Sequence, residues 1–353
     1  MILRPATARF FGKILKLDRI VKPRRSASFP RSPSRPWQPV RWGLALACLG
    51  GLAAAEPSPT ASVYSRRAPA VGLAAGPRAP ASGEPHEGAP QAERIVAGAL
   101  MQIGRGDSFA ARLRQKARIG DRVLVGSGRY LQSGSGEDLR FRFESALEGD
   151  AESFELLEVC DGLFCWSYRR IGPDAPSLQR VDVRRVRERL ARCGAPADVD
   201  AAPYLGGLPR ALWLVRERFC FETAEAGEID GVPVWSIEGR WHPVWLATLL
   251  PDLAEAARRP GGVAPAELPD GFPWAVRLSV SRADLIVKRL EWLGIPGPRP
   301  VAGGVPEPIA VLELTDIEVG GQVDPAAFFY QPAAVGLMDV TEAHVAGLSL
   351  WRP

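Results

Sequence analysis

The feature that most constrains the fold of this chain is an alternation of apolar and charged residues along several consecutive segments. In residues 138–147 the side chains of Leu139, Phe141 and Phe143 fall on one face, with Arg and Glu between them. A period of two is the period of a β-strand, and one apolar face per strand is typical of an antiparallel sheet with a single buried side. The same pattern occurs in 109–119, 122–132, 153–160 and 163–170. Short turns separate these segments, which predicts a meander of five antiparallel strands.

Helical periodicity interrupts this pattern. From Leu208 to Phe219 apolar residues recur at i, i+3, i+4, i+7 and i+11, with Pro209 in the first turn, where proline is tolerated. Helices are also expected at 90–103, 181–191 and 243–257, and further strands at 219–223, 232–239, 274–281, 285–293 and 309–319. About ten strands and three or four helices predict an α+β fold, a strongly curved antiparallel sheet with helices forming a lid over one face.

The N-terminal segment differs in composition from the rest of the chain. The whole chain carries +4, but residues 1–55 hold 11 of the 44 Lys and Arg and one of the 40 Asp and Glu, so this leader carries +10 and residues 56–353 carry −6. A basic face on the folded domain, as expected of a nucleic-acid-binding protein, is therefore not predicted. Residues 56–90 are rich in Pro, Ala and Gly and predict a disordered tether. The remaining residues, 91–353, are expected to form one domain.

The leader predicts export to the periplasm or cell envelope. Residues 42–55 form an apolar run of 14 residues, too short to cross a hydrocarbon core of about 30 Å comfortably. Ala53 and Ala55 are small residues at the positions that a signal peptidase requires. The alternatives are an uncleaved membrane anchor through 42–55, or lipidation at Cys48. Membrane contact is expected only through this segment.

Four cysteines remain after the leader: Cys160, Cys165, Cys193 and Cys220. Cys160 and Cys165 bracket the sequence Asp-Gly-Leu-Phe and would face each other across a four-residue hairpin loop. A two-residue Asp-Gly turn would instead place Cys160 opposite Leu163. A disulfide and two buried free thiols therefore both remain open.

The sequence contains no constellation that predicts catalysis. It has no nucleotide-binding glycine loop and no nucleophile elbow, and its three His residues lack a second His or Cys at ligand spacing. We therefore predict no enzyme activity, no metal and no cofactor. A hydrolase working around His242, which lies between Trp241 and Pro243, is the weakest hypothesis.

The chain is rich in Trp, with ten residues, eight of them after the tether. Packing in the core accounts for most of them, whereas a subset that lines an apolar cavity between the sheet and its helices would bind a ligand. The residues predicted to line such a cavity are Leu212, Trp213, Phe219, Trp235, Trp245, Leu249 and Trp274.

Several motifs resemble a known family. Residues 109–115 read F-x-A-x-L-x-Q, 126–130 read G-x-G-x-Y, 139–144 read L-R-F-R-F-E, and 323–332 read V-D-P-x-x-F-x-Y-x-P before G-x-x-D-V. Together they resemble the periplasmic lipoprotein-carrier fold of the LolA/LolB superfamily over about residues 95–341. This resemblance implies an unclosed antiparallel β-barrel with a helical lid over a hydrophobic cavity that receives acyl chains. The chain departs from it by extra sequence around 195–203 and 258–273, and no residue that grips a lipoprotein can be carried over.

The leading hypothesis is an exported, non-enzymatic protein that binds a lipid or lipoprotein acyl chain in an apolar cavity under a helical lid. The alternative is an envelope sensor or protein-interaction module on the same fold, which recognises an envelope protein and has no lipid-carrier role. Fold resemblance alone does not decide between them.

Overall fold

A computed structural model of the protein describes residues 90–105, 108–120, 122–150, 152–193, 201–259, 261–295, 306–332 and 336–348. The predicted leader with Cys48, the tether up to residue 89 and Trp351 lie outside the described residues. None of the described helices is long and apolar enough to cross a membrane.

The described residues form one sheet and several short helices. The strands are β1 Ser108–Ile119, β2 Arg122–Ser133, β3 Arg140–Glu148, β4 Ser153–Cys160, β5 Phe164–Ile171, β6 Ser177–Asp182, β7 Phe219–Ile229, β8 Val232–Trp241, β9 Ala275–Ser281, β10 Val287–Gly294, β11 Glu307–Val319 and β12 Leu337–Asp339. The helices are α1 Gln91–Arg105, α2 Val183–Arg192, α3 Ala202–Leu205, α4 Gly207–Arg218, α5 Pro243–Leu249, α6 Ala254–Ala257 and α7 Thr341–Gly347.

The twelve strands follow the order β12-β6-β5-β4-β3-β2-β1-β11-β10-β9-β8-β7. Every neighbouring pair is antiparallel except β12 and β6, which run parallel. The α+β class and the unclosed, mostly antiparallel sheet are therefore confirmed.

The strong curvature that we predicted is not found. The sheet is neither closed nor strongly curled. Strand pairing from β1 through β2 to β6 runs in unbroken register, and register shifts occur only at the pairs β1–β11, β10–β11, β9–β10 and β7–β8. Bulges and glycine kinks produce sheet curvature, and the alternation of side chains carries no information about them.

One face of the sheet, here called the inner face, carries the core. Leu113, Tyr130, Phe141 and Phe143 lie on it and are almost fully buried. Helix α1 contacts β7 and β9, and α4 contacts β3 and β7, so these helices cover the inner face. On the opposite face of β1 the side chains of Arg112, Arg114 and Lys116 are exposed. The alternation in the sequence therefore separates core from solvent, as predicted.

Gly126 and Gly128 lie on β2 where the backbone of β3 comes close. A Cβ at Gly126 would clash with the carbonyl oxygen of Ala146, and a Cβ at Gly128 with that of Glu144. Both glycines therefore lie where two strand backbones approach so closely that no side chain fits.

The closing motif of the family resemblance anchors the C-terminal segment on the outer face. The Asp324 carboxylate accepts a hydrogen bond from the Ala326 N–H at 2.9 Å and caps the 3₁₀ turn Pro325–Phe328. Phe328 is buried, and the Tyr330 ring packs on Trp166 with ring centroids 5.8 Å apart. This segment therefore covers the outer side of β5.

Candidate functional site

The seven residues predicted to line a cavity lie on neighbouring elements: α4, β7, β8, α5 and the residue before β9. Leu212 of α4 and Phe219 at the start of β7 are 3% and 4% exposed and belong to the core. The other five, Trp213, Trp235, Trp245, Leu249 and Trp274, are partly buried. Neither of the two surface hollows described below is lined by any of the seven.

An aromatic cluster lies at the start of β7 and the end of β8. The rings of Phe219 and Trp241 have centroids 4.3 Å apart, and those of Trp241 and Phe272 lie 5.3 Å apart. The Trp241 indole N–H donates a hydrogen bond to the Pro273 carbonyl at 2.7 Å, which satisfies its only polar group. Leu246 of α5 belongs to the same core. The aromatic cluster and Leu246 therefore both belong to the buried core of the protein.

Arginine side chains cover three of the predicted Trp residues. The Arg240 guanidinium carbon lies 3.2 Å from the centroid of Trp274, that of Arg282 lies 4.6 Å from Trp235, and that of Arg218 lies 5.9 Å from Trp245. Cation–π contacts of this kind are worth about 0.5–2 kcal/mol each. Sequence reasoning missed these arginines because each pair joins separate elements.

A hollow of about 310 Å³ lies on the outer side of the segment from α5 to α6. It is lined by Pro243, Val244, Ala247, Thr248, Pro251, Ala254 and Arg258. The Thr248 hydroxyl donates to the Val244 carbonyl at 2.8 Å, so this polar group is satisfied within the helix. Arg258 is the one charged residue of the lining, and it pairs with Glu255 at 3.1 Å. We call this feature the α5–α6 hollow. The lining of the α5–α6 hollow is mostly apolar, with one cationic side chain.

A second hollow, of about 430 Å³, has a different chemistry. It is lined by Glu148, Gly149, Glu152, Ser153, Gly172 and Pro173, at the turns that join the strands of the meander. Glu152 pairs with Arg122. Two carboxylates and little side-chain hydrocarbon make this hollow a poor match for an apolar ligand.

His242 lies at the N-terminus of α5. Its Nδ1 accepts a hydrogen bond from the Val244 N–H at 3.3 Å, so the side chain caps the N-terminus of α5. Burial lowers the pKa of this imidazole. Among the described residues, no group of three or more His, Cys, Asp or Glu side chains could hold a metal ion.

A buried polar cluster that sequence reasoning missed lies where α4 begins. The Glu158 carboxylate of β4 is 1% exposed, and its Oε2 accepts a hydrogen bond from the Gly207 N–H at 2.9 Å. Burial raises the pKa of Glu158, against the opposing hydrogen bond of Gly207 and the charges of Arg210 and Arg169. Burial likewise lowers the pKa of Arg210 to about 10. The sequence did contain a signal for this cluster, because Glu158 occupies a position of β4 at which the alternation predicts a buried apolar residue.

His344 of α7 completes this cluster. Its Nε2 lies 2.9 Å from the Tyr204 carbonyl oxygen, to which the neutral imidazole donates. Burial first, and the nearby charge of Arg210 second, lower the pKa of His344 to about 4. The cluster therefore holds a neutral histidine and a buried carboxyl group, both of which interact with the charge of Arg210, and it joins α3, α4, α7 and β4.

The chain matches no family model and no curated protein. It is similar to a chain of the MucA/MucB complex of Pseudomonas aeruginosa, with 11% identity over 68% of this chain and 61% of that chain and a TM-score of 0.31. LprF from Mycobacterium bovis is 12% identical over 70% of this chain and 99% of its own, with a TM-score of 0.31. A LolA superfamily protein from Nitrosomonas europaea is 13% identical over 69% and 99%, with a TM-score of 0.22.

This chain spans about three fifths of the MucA/MucB chain that it matches. Its structural neighbours are proteins of the LolA-superfamily, MucB and LprF lipoprotein-carrier-like fold, at low sequence identity.

Proposed function

We propose that this protein is an exported, non-enzymatic envelope protein that binds the acyl chain of a lipid or lipoprotein at the segment from α5 to α6. The observation that carries the proposal is the α5–α6 hollow, with an apolar lining and Arg258 at its edge. An acyl chain with an anionic headgroup matches both properties. The charge and apolar run of residues 1–55 support export.

The helices α4, α5 and α6 act as the lid in this proposal. The acyl chain first occupies the α5–α6 hollow. Movement of α5 away from the core then admits the chain between α5 and the aromatic cluster. In that state the seven predicted residues, Leu212, Trp213, Phe219, Trp235, Trp245, Leu249 and Trp274, line its path.

The energetics need no polar chemistry. Burial of each methylene contributes about 0.8 kcal/mol, so every methylene that the bound state encloses adds to the affinity without a polar contact. The seven lining residues of the α5–α6 hollow include no carboxylate, and an anionic headgroup would replace Glu255 as the partner of Arg258.

Val244→Asp is expected to weaken binding of a fluorescent fatty acid by roughly tenfold or more, because an aspartate in an apolar lining must be desolvated when the chain binds. Val244 is 52% exposed, so the variant is expected to fold. The matched control is Val125→Asp on the outer face of β2, where Val125 is 57% exposed. Fluorescence titration of both variants checks the prediction, and equal affinities for both would reject the hollow as the site.

The open edge of the sheet favours the alternative, a module that binds an envelope protein. Strand β12 is the last strand of the sheet, and Leu337 and Met338 on it are 42% and 47% exposed. An edge strand can pair with an extended segment of a partner. A photocrosslinker at Met338 that captures one specific envelope protein, together with unchanged fatty-acid binding in Val244→Asp, would favour this alternative.

A further inference from the structure

Two buried cysteines face each other across the hairpin of β4 and β5. Cys160 and Cys165 are 0% and 2% exposed, and they are directly opposite in the strand register. Their thiols lie within hydrogen-bonding reach of each other. All four described cysteines are free, and the other two, Cys193 and Cys220, are only partly buried.

The hairpin loop determines the geometry of this pair. The Asp161 N–H donates to the Phe164 carbonyl at 3.1 Å, and the Asp161 carboxylate accepts from the N–H groups of Leu163 and Phe164 at 2.8 and 2.7 Å. In antiparallel sheet, hydrogen-bonded and non-hydrogen-bonded pairs alternate. Because residues 161 and 164 form the hydrogen-bonded pair, Cys160 and Cys165 are the non-hydrogen-bonded pair. Such pairs have Cα atoms about 4.5 Å apart, within the range that a disulfide spans.

The sequence of the loop also allows a competing register. A two-residue turn at Asp161-Gly162 would place Cys160 opposite Leu163 and would shift the hairpin by two residues. Cys165 would then face Glu158, and the two sulfur atoms would no longer be opposite. A disulfide between the two cysteines is therefore compatible only with the register in which Cys160 lies opposite Cys165.

We infer that Cys160 and Cys165 form a disulfide that fixes the register of the β4–β5 hairpin. A thiolate of one cysteine attacks the disulfide of a donor and releases one donor thiol, and the second cysteine then attacks the mixed disulfide and releases the other. Two protein thiols are oxidised and one donor disulfide is reduced to two thiols. The inference requires a disulfide donor and is independent of acyl-chain binding.

The bridge is expected to form while the chain folds. Burial, reinforced by the hydrogen bond with Cys160, raises the pKa of the Cys165 thiol well above its usual value. Thiol–disulfide exchange needs the thiolate, so exchange in the folded protein is slow. Once formed, the bond is shielded from reductants because both cysteines are buried.

The experiment uses the full chain, reduced, denatured and then refolded in a glutathione buffer poised at about −200 mV. Free thiols are alkylated under denaturing conditions and counted by intact mass spectrometry, and peptides are mapped. The fully reduced chain has five cysteines, so the bridge is expected to leave three alkylated thiols. Cys193→Ser with Cys220→Ser is the matched control and should keep the linked peptide.

A second readout is thermal. We expect reduction to lower the Tm of the refolded protein by about 5 °C, the shift that corresponds to opening a short loop in a domain of this size. In Cys160→Ser with Cys165→Ser, reduction should leave Tm unchanged. Five alkylated thiols after refolding, or a linkage that involves Cys193, Cys220 or Cys48, would overturn the inference.

Discussion

Gly207→Ala is expected to lower the free energy of unfolding by about 3 kcal/mol. Gly207 begins α4 with φ +65°, a left-handed conformation that costs a residue with a Cβ about 1–2 kcal/mol. The added Cβ would lie 3.0 Å from the Phe141 ring and 3.1 Å from the Tyr130 ring, both of which are almost fully buried. Overpacking of this kind adds about 1–3 kcal/mol. It would also displace the Gly207 N–H from the Glu158 carboxylate.

The matched control for this prediction is Gly120→Ala. Gly120 has φ +62°, and nothing lies within 4 Å of the position that a Cβ would occupy. It therefore bears the backbone cost alone, and we expect a loss of about 1 kcal/mol. Chemical denaturation of both variants measures the difference. If the two losses are equal, the rings at Gly207 give way and the close contact at the start of α4 has no energetic role.

The stability of the protein is expected to fall by up to about 3 kcal/mol as the pH is lowered from 6.5 to about 4, through His344 alone. The pKa of His344 is about 4 in the folded protein, against 6.5 in the unfolded chain. Between these values the unfolded chain binds the extra proton, so stability is complete above pH 6.5 and is lost as the pH falls. Between these two pKa values the free energy of unfolding falls by about 1.4 kcal/mol for each pH unit.

His344→Gln isolates this contribution, because glutamine does not titrate and its amide N–H can still donate to the Tyr204 carbonyl. The raised pKa of Glu158 acts in the opposite direction, since a carboxyl group with a raised pKa loses stability as the pH rises, and this contribution remains in the variant. We therefore expect the stability of the wild type relative to the variant to drop by about 2–3 kcal/mol between pH 7 and pH 4.5. Parallel curves for the two proteins would mean that His344 is accessible to protons in the folded state.

Strands in which apolar and polar residues alternate were predictable from the sequence. Strands β1 and β2 lie within one residue of the predicted bounds at each end, because each strand has one buried and one solvated face. Strand β6 was missed because Ser177–Asp182 has too few apolar residues to show a period. Strand β12 is three residues long and exists through its pairing with β6, which no local pattern reveals.

The predicted starts of two elements were wrong for local reasons. The helix expected from residue 181 begins at Val183, because the Asp182 carboxylate accepts a hydrogen bond from the Arg185 N–H at 3.2 Å and caps it. The strand expected from residue 285 begins at Val287, because Leu285 has φ +57° and lies in the preceding turn. Both boundaries depend on single side-chain or backbone conformations that periodicity does not describe.

The candidate site was predictable only in part. Helical spacing located α4 and α5, and with them Leu212 and Leu249. The arginines that cover Trp235, Trp245 and Trp274 come from other elements, and only the fold brings them together. The lining of the α5–α6 hollow was missed because it lies on the side of α5 opposite to the apolar stripe from which the cavity was predicted.

Native mass spectrometry of the full-length protein after gentle purification tests the acyl-chain proposal most directly. We expect a population whose added mass corresponds to a bound lipid, and we expect that mass to be lost in the Val244→Asp variant but kept in Val125→Asp. Protein without any bound lipid, together with no uptake of a fluorescent acyl probe by the wild type, would contradict the proposal.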